Sequence, residues 1–171
     1  MAVRWTGSKE ASPTAAIIDS QSAKGAQIRG PWLDPSGYDA GKKIKGRKPN
    51  ILVDTMGLLL SVVVHPADVQ DRDGAFQLLR RARRLLSFIE RIADGGYAGK
   101  KMALVVWRTG AWRLRIMKRS DGAGFEVLSK RWIVERTFAW ISRNRHLARD
   151  FERYATTVVA FVRIIAANTS S

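Results

Sequence analysis

Three acids in this chain stand where an acid needs a reason. Asp19 directly follows Ala-Ala-Ile-Ile, Asp94 follows Ile-Ala and precedes a Gly-Gly bend, and Glu135 is the single carboxylate of RWIVERTFAWISRNR (131–145). A carboxylate within or at the end of a buried strand is costly unless it is paired or bound to a metal. For Glu135 the plain alternative is an ion pair with Arg131 four residues back, base before acid, worth only about 0.2–0.5 kcal/mol. The sharper reading is that Glu135 helps to hold a metal ion while the arginines hold a phosphate chain. Mg²⁺ prefers oxygen ligands and takes one or two carboxylates, leaving positions for water and phosphate oxygens. Two such ions about 3.5–4 Å apart assist both the attacking and the leaving oxygen of an in-line displacement. Without metal, gathered carboxylates repel one another, and the site shares protons or loosens. Other acids have easier roles: Asp54 and Asp121 suit turns, Asp71 and Asp73 a helix N-terminus.

Composition narrows the partner. Thirty Lys and Arg against fifteen Asp and Glu leave a net charge of +15 on 171 residues, one domain's worth of chain. Such an excess on a folded domain points to a polyanion, nucleic acid before anionic membrane. The 46% hydrophobic content is too high for a wholly disordered chain. With no cysteine, disulfides and thiolate zinc sites are excluded, and His65 and His146 lie too far apart in sequence to suggest an imidazole zinc site. LLLSVVV (58–64) falls well short of the roughly 20 apolar residues of a membrane span, and MAVRWTGSKEASPT lacks the apolar stretch of a secretory signal, so a cytoplasmic location is expected.

The elements that must position the acids follow from periodicity. Residues 1–14 read as a tail or linker remnant, AAIIDSQS (15–22) as a first strand, and 25–37, with Gly, Pro and Asp at turn spacing, as a loop. A second strand is expected over 42–54, basic then apolar, with a turn at 54–57. LLLSVVV follows as a third strand, placed at the centre of a sheet because it is apolar throughout. Residues 68–88 open with capping acids and carry Phe76, Leu79, Ala82 and Leu86 at helical spacing. Then come a strand (88–94), a helix (100–110), a strand (112–120), a turn at Asp121-Gly122 and the helix bearing Glu135. Residues 156–171 leave helix and strand both open. The order predicts an α/β fold with a mixed sheet flanked by helices. An Asp on the first strand, an Asp ending the fourth and a Glu on a later helix is the layout of a ribonuclease-H-like nuclease core.

Other motifs carry less. GYDAGKK (37–43) and GGYAGKK (95–101) glance at a phosphate-binding loop, but each has one residue too few between its glycines and Lys where Ser or Thr belongs. Tyr38, Tyr97 and Tyr154 lack the Arg-His surroundings of a tyrosine recombinase, and Tyr97 reads as packing beside the Asp94 bend. KKIKGRK, with Lys42, Lys43, Lys45, Arg47 and Lys48, and the arginines Arg131, Arg136, Arg143, Arg145 and Arg149 are the candidates for DNA phosphates. Trp32, Trp132 and Trp140 are read first as core and second as base-stacking platforms, and RRARR (80–84) as a solvated helix face.

IIDSQS, GYDAGKKIKGRKPNILVDTMGLLLSVVVHPADVQDRDGA, IADGGYAGK and RWIVERTFAWISRNRHLARDFE closely resemble the DDE transposases of bacterial insertion sequences, in the insertion-sequence-five group. The likeness runs from about residue 15 to about residue 153, its blocks in the family's order. The resemblance implies a ribonuclease-H-like domain over 15–155 with a C-terminal extension at 156–171. It also implies cleavage at transposon ends with strand transfer into target DNA, and a catalytic, metal-binding triad of Asp19, Asp94 and Glu135 using two Mg²⁺ ions, with Mn²⁺ a possible substitute. The family signature around the Glu is Tyr, two residues, Arg, three residues, Glu, six residues, Lys. Arg131 matches its Arg, whereas Leu128 and Ser142 stand at the Tyr and Lys positions, with Arg143 beside the latter. Pro49 in GRKPN removes a strand N–H. Implied partners are the transposon ends and target DNA, a homo-oligomer on DNA, and an upstream N-terminal DNA-recognition segment absent from this chain. The rival reading is a basic nucleic-acid-binding protein without catalysis, such as a decayed transposase remnant.

Overall fold

The computed structural model describes residues 13, 15–25, 36–83, 90–94, 97–110, 112–117, 131–143 and 154–168, without the side chains of 90–94, Met117, Arg131 and 165–168. Outside it fall the expected tail apart from Pro13, most of the 25–37 loop, the Asp121-Gly122 turn, Leu128, Trp32, Arg145 and Arg149.

The strands are β1 (Ala15–Ser20), β2 (Ala23–Lys24), β3 (Gly37–Asp39), β4 (Ile44–Asp54), β5 (Leu59–Pro66), β6 (Glu90–Asp94) and β7 (Leu114–Met117). The helices among the described residues are α1 (Asp71–Arg83), α2 (Lys100–Gly110), α3 (Arg131–Arg143) and α4 (Ala155–Asn168). β4 is the long axis of one mixed sheet. On one side it pairs antiparallel with β1 and β2, on the other with β5 and β3. Beyond β1 the sheet continues with β6 and then β7, both parallel. The order β5-β4-β1-β6-β7, antiparallel on one side of β1 and parallel on the other, is the ribonuclease-H-like arrangement.

Alternation along each strand feeds two cores. Ala16, Ile18, Leu52 and Val63 meet Ala75, Leu78, Leu79 and Ala82 of α1 and Met102 and Val106 of α2. Ile17, Ile51, Val53 and Val62 meet Ile133, Val134, Phe138 and Ile141 of α3 and Val158 and Val162 of α4. The final segment, open between helix and strand in the sequence, is a helix. Among its described side chains Val158 and Val162, one turn apart, are buried, and that docking outweighs the β preference of its Val and Ile.

One expectation is overturned. LLLSVVV is not central, since β5 pairs only with β4 among the described strands. It is apolar throughout because helices cover both faces: Val63 turns to α1 and Val62 to α3 and α4. Of the apolar positions expected along α1, Leu79 and Ala82 are buried, joined by Ala75 and Leu78, while Phe76 is half-buried and Leu86 lies outside the described residues.

Pro49 sits inside the central strand, where a proline is ordinarily excluded. It lies opposite the break between β1 and β2, and its carbonyl accepts from Gln21 N at 3.1 Å. In an antiparallel ladder the N–H and C=O of one residue point the same way. The missing donor therefore falls where the neighbouring strand is already interrupted.

Candidate active site

β1 and β6 run parallel with Ile17 level with Ile92 and Ile18 level with Ala93. The next step of that register sets Asp19 beside Asp94, at the carboxyl ends of neighbouring strands roughly 4.8 Å apart. In open α/β sheets this end of the parallel strands is where ligands are bound. Asp19 is half-buried, and its Oδ1 accepts the backbone N–H of Ser20 at 2.8 Å. By strand alternation it shares the face of Ile17, which α3 covers. The side chain of Asp94 lies outside the described residues.

Glu135 is exposed on α3, beside the buried stripe of Ile133, Val134, Thr137, Phe138 and Ile141. Glu135 and Asp19 thus belong to the same side of the sheet. Among the described residues, from which the Asp94 carboxyl is missing, no three acids or histidines gather to hold a metal ion.

The docking of α3 is specific. At the β4–β5 turn, Asp54 Oδ1 accepts from Met56 N at 2.7 Å and Leu58 N at 2.9 Å, the turn role expected of Asp54. Gly57 takes φ +90° there, a left-handed conformation that costs glycine little. The carbonyls of this turn face α3: Arg136 Nη2 donates to Met56 O at 3.0 Å, and the single Thr137 hydroxyl proton is shared between Gly57 O at 3.3 Å and Ile133 O of its own helix at 3.0 Å. The Arg136 guanidinium lies over the rings of both Trp132 and Trp140, 4.7 Å from each centroid. Trp132 is 49% exposed, so the core reading does not hold for it. The i, i+4, i+8 spacing of Trp132, Arg136 and Trp140 is the signal from which the stack was legible.

The basic candidates divide. Lys42, Lys43 and Lys45 are exposed around the β3–β4 turn, with Lys43 at φ 55°, and Arg143 is exposed at the end of α3. Arg47 and Lys48 are buried. Lys48 Nζ donates to Val69 O at 3.0 Å and pairs with Asp71 at 3.0 Å and Asp39 at 3.5 Å, so its charge is spent inside the fold. Arg80, Arg81 and Arg83 are exposed, as a solvated helix face requires.

Among the described residues, Asp39 and His65 are displaced from their ordinary pKa values. The Ser22 hydroxyl, 2.6 Å from Asp39 Oδ2, is the main reason the Asp39 carboxyl falls from 3.8 to about 2; burial opposes the shift, while the Lys42 amide and the charges of Lys48 and Lys42 favour it. Burial lowers His65 below its ordinary value, a hydrogen bond with Gly74 opposes this, and Arg81 and Lys48 add to it. His65 is therefore a neutral core residue at pH 7. Tyr97 is buried in the α1–α2 core, the packing role expected of it. No helix among the described residues is long and apolar enough to cross a membrane.

The sequence profile of the transposase DDE domain family matches residues 10–169. No curated protein matches the chain. Among solved structures, one chain of the cryo-EM structure of the simian T-cell lymphotropic virus intasome in complex with PP2A regulatory subunit B56 gamma is similar at 17% identity and a TM-score of 0.46. The match covers 86% of this chain and 52% of that one, so this chain spans about half its length.

Proposed function

This chain belongs to the transposase DDE domain family, and from that premise we propose that it is the catalytic domain of a transposase of the insertion-sequence-five kind. It cuts DNA at the ends of a mobile element and joins them to target DNA, with Asp19, Asp94 and Glu135 as its catalytic acids. The observation that supports this reading is the parallel pairing of β1 with β6, level at Ile18 and Ala93, the residues that immediately precede Asp19 and Asp94. Oxygen donors suit a hard divalent cation, and the chain offers no thiolate that would favour a softer one. Mg²⁺, as two ions with Mn²⁺ able to substitute, would supply Lewis acidity at the reacting phosphate.

The rest is the protein's own work. Exposed Lys42, Lys43, Lys45 and Arg143 attract and position the DNA backbone without reading its sequence. Asp19, Asp94 and Glu135 would hold the cations beside which the scissile phosphate is placed, and no side chain need become covalently attached. Water forms the new P–O bond as the bond to the 3′ oxygen breaks, and that oxygen leaves as a 3′-OH. The freed hydroxyl then attacks a target phosphodiester, one P–O bond forming as another breaks. Joining two element ends to one target favours a homo-oligomer on DNA.

Nicking of supercoiled plasmid tests the proposal. Nicked circles are expected with Mg²⁺ or Mn²⁺, none with chelator, and none from Asp19→Asn. Equal nicking by Asp19→Asn would refute the assignment, and binding without nicking under every condition would favour a non-catalytic DNA-binding protein.

A further inference from the structure

Arg136 was expected at a DNA phosphate, but its guanidinium is held between Trp132 and Trp140 and bonded to Met56 O. We propose that Arg136 is a positioning residue: it locks the rotation of α3 against the β4–β5 turn and so sets the direction in which Glu135 projects. The inference rests on the reading of Glu135 as a catalytic acid.

Successive helix residues point about 100° apart, so Glu135 and Arg136 flank opposite borders of the stripe formed by Ile133, Val134, Thr137, Phe138 and Ile141. Apolar contacts fix the helix to the sheet but resist a small roll only weakly, because hydrophobic burial is non-directional. Directional restraint comes from one border, where Arg136 bonds to Met56 O, while Thr137 shares its hydroxyl proton between Gly57 O and Ile133 O of its own helix and adds little. A guanidinium suits this task because it is planar, stacks on aromatic faces and keeps its donors in a fixed fork; a lysine ammonium carries the charge without the plane. Any roll released at Arg136 is transmitted directly to the adjacent Glu135.

Charge and geometry are separated by comparing Arg136→Lys with Arg136→Met. Three quantities are read: Mn²⁺ binding by electron paramagnetic resonance, plasmid nicking, and DNA affinity across a salt series. A positioning role predicts that both variants bind Mn²⁺ about tenfold or more weakly and nick up to about a hundredfold more slowly, with DNA affinity and salt slope near wild type. A phosphate-contact role predicts that Lys rescues, and that Met weakens DNA binding and reduces the salt slope by about one. That second pattern overturns the proposal. Should either variant fail to fold, Trp132→Ala removes one ring of the stack from a half-exposed position and is expected to weaken Mn²⁺ binding while leaving DNA affinity intact; wild-type Mn²⁺ binding there also overturns it. Glu135→Gln is measured alongside. If it leaves Mn²⁺ binding unchanged, the reading of Glu135 falls and this inference with it. If it weakens Mn²⁺ binding while the Arg136 variants do not, this inference alone falls.

Discussion

Asp39 receives the Ser22 hydroxyl, the Lys42 amide and the Lys48 ammonium at once, and its carboxyl is held near 2 rather than 3.8. A depressed carboxylate contributes stability that is complete above its unfolded value and is lost as pH falls through its folded value. Asp39→Asn is therefore expected to be less stable than wild type at pH 7, with the gap closing between about pH 4 and pH 2. Urea midpoints at pH 7 and at low pH measure it; a gap that stays constant would contradict the assignment. At this scale the sequence was legible wherever a residue acts on its neighbours. Asp54 caps its own turn, and Asp71 and Asp73 lie in the first turn of α1. Lys48 was not legible as a buried ion, because its partners Asp39 and Asp71 are brought to it by a neighbouring strand and a later helix.

The elements were legible in type and order, and less so in their neighbours. An apolar run reports that both faces of a strand are covered, and β5 achieves this at the margin of the sheet. Asp19 and Asp94 could be picked out as strand-end acids from local sequence alone. Their level register arises from the parallel pairing of β1 with β6, a long-range contact that local spacing does not encode. Docking of α3 depends on another such contact, at the β4–β5 turn. Gly57→Ala forces a side chain into a left-handed conformation, costing roughly 1–2 kcal/mol, and its Cβ would meet Arg136 Nη2 at 3.1 Å. The variant is expected to unfold at lower denaturant by about that amount and to disturb the Trp132–Arg136–Trp140 stack, visible as altered near-ultraviolet circular dichroism. A variant as stable as wild type would show that neither the turn nor its grip on α3 matters.

Over the whole molecule, a charge of +15 is the dominant long-range property. Its field attracts DNA without regard to sequence, and neutralising about six phosphates gives a slope of log K against log salt of roughly −5. Titration of a random duplex between low and moderate salt measures the slope, and a value near zero would exclude a basic DNA-binding face. Affinity of this kind is shared by catalytic and non-catalytic readings alike, so binding alone does not separate them.

The measurement that does so is metal-dependent cleavage by Glu135→Gln beside its DNA affinity. The substitution removes one carboxylate charge from an exposed position on α3 and no phosphate contact. Affinity at fixed salt is expected to stay at the wild-type value or rise slightly, because a negative charge near the DNA is gone, while cleavage with Mg²⁺ disappears. Cleavage by Glu135→Gln at near the wild-type rate would contradict the account at its centre.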